Sequence, residues 1–158
     1  MKLVYSDLLL ATGPHKGGIC SILITPKEWL QEDIRIDFAT SRVVSSLATI
    51  PGTGWLRLQF IPTSYDYEET PKTGRSGPYY EVVTSGTNNT ITPQMQQVLN
   101  SLTYHQLVCQ VKDKRGNIKI VGDKEAGALI QFGHRNKDKQ TLDISLRLDS
   151  ENPVPFFF

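Results

Sequence analysis

The sequence predicts a mainly β domain of the α+β class: an antiparallel β-sandwich or β-roll with one packed helix at about residues 93–103. Three observations carry that prediction. Short runs of alternating apolar and polar residues recur along most of the chain, divided by Gly, Pro, Asn and Asp turns. The clearest of them, Thr141 to Leu148, puts Leu142, Ile144, Leu146 and Leu148 on one face, and Thr141, Asp143, Ser145 and Arg147 on the other. Only one stretch, after Thr92, has a convincing helical period.

Taken in order, Lys2 to Ala11 reads as a first strand with Leu8 to Leu10 buried. Asp7 interrupts its apolar run, which is too short for a membrane span, and no transmembrane segment follows. Thr12 to Gly18 is a turn, and Ile19 to Ile24 a strand closed by Thr25-Pro26. Pro26 to Glu32 predicts one helical turn with Trp29 and Leu30 facing inward. Ile34, Ile36 and Phe38 predict a third strand; Ser41 to Ile50 fits strand or helix. Pro51 to Gly54 is a turn. Leu56, Leu58 and Phe60 then predict a strand with one core face, whose other face, bearing Trp55 and Ile61, is apolar enough to need partial cover. In residues 63–78, Pro71, Gly74, Gly77 and Pro78 argue against a continuous strand and for an extended loop or arm. Tyr79 to Thr84 is a strand, and the sequon Asn88-Asn89-Thr90 reads as a polar turn.

Thr92 is a suitable N-cap and Pro93 a suitable first helical residue, with Met95, Val98, Leu99 and Leu102 on one face. A β-hairpin follows, Leu107 to Val111 and Ile118 to Val121 around a polar turn, giving a helix packed on a hairpin. Ala126, Ala128, Ile130 and Phe132 alternate in another strand, His134 to Gln140 is a charged turn, and residues 152–158 form an apolar tail ending in three phenylalanines.

The 158 residues suffice for a single domain, 1–158, with a sizeable core. Seventeen basic and 16 acidic residues nearly cancel, which gives no nucleic-acid footprint. Cys20 and Cys109 sit in apolar, strand-like runs and read as buried free thiols. His15, His105 and His134 have no second His or Cys at ligand spacing, so no metal site is expected. Thr73 to Gly77 lacks the lysine and preceding strand of a phosphate loop, and no serine sits in a nucleophile elbow. The basic tip KDKRGNIK lacks interleaved aromatics and reads as solvated. No catalytic or cofactor-binding residues are expected.

The early SDLLL strand, the helix QMQQVLNSLT, the hairpin KDKRGNIKIVG and the final SLRLDS leading into NPVPFFF resemble virion structural proteins of phages and prophages of Bacteroidetes-type bacteria, especially tail-tube-like or tail-ring subunits. The resemblance implies a non-enzymatic subunit, made in the host bacterial cytoplasm and residing in the phage tail. It implies a homo-oligomer, hexameric or a higher-order ring, that contacts other tail or connector proteins. It implies, too, that DNA passes through the channel of that ring without sequence-specific binding. On this reading Tyr65, Tyr67, Glu68, Glu69, Lys72, Arg75 and Tyr79 form an inter-subunit arm, since tyrosines suit interfaces and opposite charges fix register. Phe156, Phe157 and Phe158 need cover from their own sheet or a neighbour. Two other readings are a small module binding an apolar ligand or carbohydrate through Trp55, Tyr65 and Tyr67, and an enzyme of unrecognised type.

Overall fold

The computed structural model describes residues 18–89, 92–123, 125–135 and 141–157. The expected first strand, His15, most of the charged turn after Arg135, and Phe158 lie outside the described residues.

Among the described residues, the fold is the expected mainly β sandwich with one α-helix. Its strands are β1 (Ile19–Pro26), β2 (Ile36–Asp37), β3 (Arg42–Val43), β4 (Leu56–Leu58), β5 (Asp66–Gly74), β6 (Gly77–Asn88), β7 (Leu107–Asp113), β8 (Ile118–Val121), β9 (Leu129–Arg135), β10 (Thr141–Ser150) and β11 (Phe156–Phe157). The helix α1 spans Pro93–Leu102. A seven-stranded sheet has the order β2-β3-β11-β8-β7-β1-β4, and a four-stranded sheet the order β5-β6-β10-β9. Ile22, Ile24, Leu107, Cys109 and Val111 from the first sheet meet Val82, Ile130, Leu142, Ile144 and Leu146 from the second in one apolar core.

Strand β7 is buried on both faces. Leu107 and Cys109 point into the main core, while Val108 joins Leu30, Ile34, Val43 and Ile120 in a second cluster on the far side of the sheet. Trp55 packs on that second cluster and its indole N–H donates to Leu47 O at 3.0 Å, which supplies the cover its strand face needs. In α1, the Thr92 hydroxyl accepts from the Met95 N–H at 3.2 Å, and Leu99 and Leu102 are buried in the main core.

Several local expectations are corrected. Lys27–Trp29 is a 3-10 turn, where successive side chains diverge by about a third of a turn. Leu30 therefore faces inward and Trp29 stays on the surface. The third strand shrinks to Ile36–Asp37, because the Asp37 carboxylate accepts from the Ala39 N–H and the Thr40 hydroxyl and turns the chain, leaving Phe38 67% exposed. Leu56 is exposed although Leu58 and Phe60 are buried. An irregularity between Ile19 and Ser21 breaks the alternation of β1, so Cys20 is exposed; Cys109 is buried, and both thiols are free. Asn88 is not in a turn. It ends β6 on the core side, with its amide donating to Gln59 O at 2.6 Å.

The largest correction concerns residues 63–78, where the chain does form a continuous strand. Asp66 to Gly74 pairs residue by residue with Gly77 to Ser85, leaving Arg75-Ser76 as the hairpin turn. Pro71 is tolerated because β5 is an edge strand, where a missing N–H leaves no ladder partner unsatisfied.

Candidate assembly surface

The β5–β6 hairpin presents two chemically different faces, because strand residues alternate sides. Its inner face is held within the subunit. The Tyr65 hydroxyl accepts from the Phe60 N–H at 3.2 Å and donates to Leu58 O at 3.4 Å, and the two rings meet edge to face at 5.1 Å. The Phe60 ring occupies the space where Gly86 lacks a side chain.

Glu69 is the centre of a second inner contact. Its carboxylate accepts from the Tyr67 hydroxyl at 3.1 Å and from the Val154 N–H at 2.9 Å, and pairs with Lys119 Nζ at 3.2 Å. The same ammonium lies 5.2 Å from the Tyr67 ring centroid and 5.1 Å from that of Phe156. Burial, then the Glu69 charge and the hydrogen bond to it, push the Tyr67 phenol well above its ordinary range, so it stays a neutral donor. One carboxylate thus joins β5, β8 and the tail.

The tail is also built into the sheet. Phe156 and Phe157 pair antiparallel with Lys119 and Ile118 of β8, and Phe156 pairs parallel with Arg42 of β3. The Ile120 N–H donates to Pro155 O and the Phe156 N–H to Ser41 O. Val154 is buried in the main core, and both described phenylalanines are half-buried. Their cover is their own sheet.

The outer face of the four-stranded sheet carries the other arm residues. Glu68 and Lys72 project from β5, Arg75 sits in the turn, and the Tyr79 ring covers Gly74. Lys72 pairs with Glu81 at 3.0 Å and Arg147 pairs with the same carboxylate at 2.7 Å. The hydrogen bond from Lys72, with the Arg147 and Lys72 charges, holds Glu81 below the usual carboxylate range. Beyond this network the face is lined by small polar groups. Ser85, Thr87, Gln131, Asp143 and Ser145 border an open trough of about 500 Å³, where the Thr87 hydroxyl donates to Asp143 at 2.9 Å.

The arm proposed from sequence therefore splits. Tyr65, Tyr67, Glu69, Phe156 and Phe157 serve the subunit's own packing, whereas Glu68, Lys72, Arg75 and Tyr79 remain on its surface. Sequence reasoning missed the sheet edges, since edge positions follow from long-range pairing. Among the described residues, β5 and β9 are the unpaired edges of the four-stranded sheet.

Trp55, Tyr65 and Tyr67 do not gather round a common cavity: Trp55 packs on the second apolar cluster, and the two tyrosines pack against the main core. His105 pairs with Glu28 at 2.6 Å. Among the described residues, no group of three His, Cys, Asp or Glu side chains is placed to hold a metal, and no helix is long and apolar enough to cross a membrane. No protein-family profile matches the chain, and the searches of curated proteins and of solved structures give no significant match.

Proposed function

We propose that this chain is a non-enzymatic virion subunit of a phage tail tube or tail/connector ring, assembled from identical copies around a DNA channel. The observation that carries the reading is the four-stranded sheet. Its order β5-β6-β10-β9 is antiparallel throughout, so its two edge strands run in opposite directions. When copies stand side by side in one orientation, β5 of one and β9 of the next meet antiparallel, and the alternation continues across every boundary. Such unlike edges meeting head to tail close into a ring when the rotation per copy closes. Closure also removes the exposed edges that otherwise invite irregular association. Pro71 blunts the outer half of β5, which confines pairing to Asp66 through Thr70.

The outward face of this sheet suits a channel wall. Hydroxyls and carboxylates of Asp66, Glu68, Ser85, Thr87, Asp143 and Ser145 lie on it by strand alternation. Lys72 and Arg147 of this face are both tied to Glu81. A wall of that kind offers phosphate little attraction, so DNA can pass without being held. The near-neutral total charge is compatible with this, because the bias is local to one face.

Electron microscopy of the concentrated protein and of the native particle tests the reading. Rings or tubes of identical copies are expected; a monomeric location in the native particle would contradict it.

A further inference from the structure

The β7–β8 hairpin has opposite charge at its two ends. Lys112, Lys114 and Arg115 are exposed at the tip, where the Asp113 carboxylate is used by the Arg115 and Asn117 N–H groups and the Asn117 amide. From Leu107 to Asp113 the strand spans roughly 20 Å at the usual rise per residue. At the far end, β8 runs into Asp123 and Glu125, which border a groove of about 570 Å³. Its other walls bring Asp149 and Glu151 from the end of β10, and Ile36 and Phe38 from the edge of the seven-stranded sheet. Arg35 also borders it and pairs with Glu32 at 3.8 Å; Lys124, between the two loop acids, is outside the described residues. The Asp123 carboxylate accepts from the Glu125 and Ala126 N–H groups, and Asp149 lies 3.9 Å from the Arg147 guanidinium, so the acidity of the rim rests mainly on Glu125 and Glu151, beside the exposed Phe38 ring.

We propose that this groove docks the β7–β8 tip of a second copy of the same chain, so that copies join head to tail along the hairpin axis. The inference rests on the reading of the chain as an assembly subunit and names a contact which that reading leaves open. A lysine suits such a groove on both counts. Its aliphatic stem lies along Phe38 and Ile36 while its ammonium reaches Glu125 and Glu151. A lysine ammonium over an aromatic face is itself favourable. The two surfaces are unlike and lie at opposite ends of one hairpin, so occupying one leaves the other free and the contact propagates from copy to copy.

Charge reversal in two separate variants tests the docking. Lys112→Glu with Lys114→Glu alters the tip, and Glu125→Lys with Glu151→Lys alters the groove. None of these side chains belongs to either apolar cluster, and melting curves establish that each variant is folded; Gln at the same positions serves where a reversal lowers melting. Self-association is read by sedimentation over a wide concentration range. Each variant alone should associate at least on the order of tenfold more weakly than the unaltered chain, and salt should weaken the unaltered contact. Mixing the two variants should restore association, since each supplies the charge the other's partner surface lacks. Rings or tubes forming equally well from both variants would overturn the docking and leave the assembly reading standing. An unaltered chain that remains monomeric at every concentration and in the native particle would overturn both.

Discussion

Close packing at single positions decides the local strength of this fold. A β-carbon at Gly86 would lie 2.0 Å from the Phe60 ring, which is itself buried and held against Tyr65. Gly86→Ala should therefore lower the unfolding free energy by about 1–3 kcal/mol, the usual cost of overpacking, and Phe60→Leu in the same background should return part of it. Chemical denaturation of the three proteins checks this. The thiols offer a second residue-scale prediction. Burial pushes the Cys109 thiol up to about 12, whereas Cys20 is exposed. A thiol reagent should modify Cys20 in the native protein and Cys109 only after unfolding, as peptide mapping would show. The sequence shows both cysteines in apolar runs, and only the irregularity in β1 separates them. A third prediction concerns Glu81, whose folded-state pKa is depressed, foremost by Lys72. Its contribution to stability is present above the unfolded carboxylate range and is lost as pH falls through the lower, folded value. Lys72→Met should therefore flatten the acid limb of a stability-versus-pH curve, an effect that thermal melts across acidic pH would reveal.

At the scale of elements, the tail and the β5–β6 hairpin are structural parts of the sandwich. β11 lies between β3 and β8, so removing Phe156 to Phe158 disconnects β2 and β3 from the rest of their sheet. Two half-buried phenylalanines and their ladder bonds should be worth about 2–4 kcal/mol together, visible as a lower denaturation midpoint. Replacing Tyr65 to Arg75 by a short flexible linker should likewise destabilise the subunit, because it removes Tyr65, Tyr67, Glu69 and an entire strand. That differs from the behaviour expected of a solvated arm. The amphipathic elements were legible from sequence: β10 alternates without exception from Leu142 to Leu148, and α1 has its cap and buries Leu99 and Leu102, although Val98 of the expected stripe is exposed. β5 was not legible, because its sequence DYEETPKTG has weak alternation and a proline. It is a strand because β6 pairs with it along its whole length, a tertiary effect that no local pattern carries. The Glu69 contact was hidden for the same reason: Glu69, Lys119 and Val154 are distant in sequence and meet only when the tail returns to β8.

For the whole molecule, the proposed assembly joins copies through the opposed edges β5 and β9. Within one copy these edges are separated by β6 and β10, about 14 Å at ordinary strand spacing, beyond the reach of a disulfide. A cross-link between them therefore reports a neighbour. The direct measurement places Glu68→Cys in one population and Leu129→Cys, Gln131→Cys or Gly133→Cys in another, all in a Cys20→Ser background, and oxidises the mixed assemblies. Edge-to-edge assembly should give a covalent dimer with at least one of the three β9 positions, and none when the proteins are oxidised under dissociating conditions. Assemblies that form normally yet give no β5–β9 cross-link at any of the three positions would contradict it.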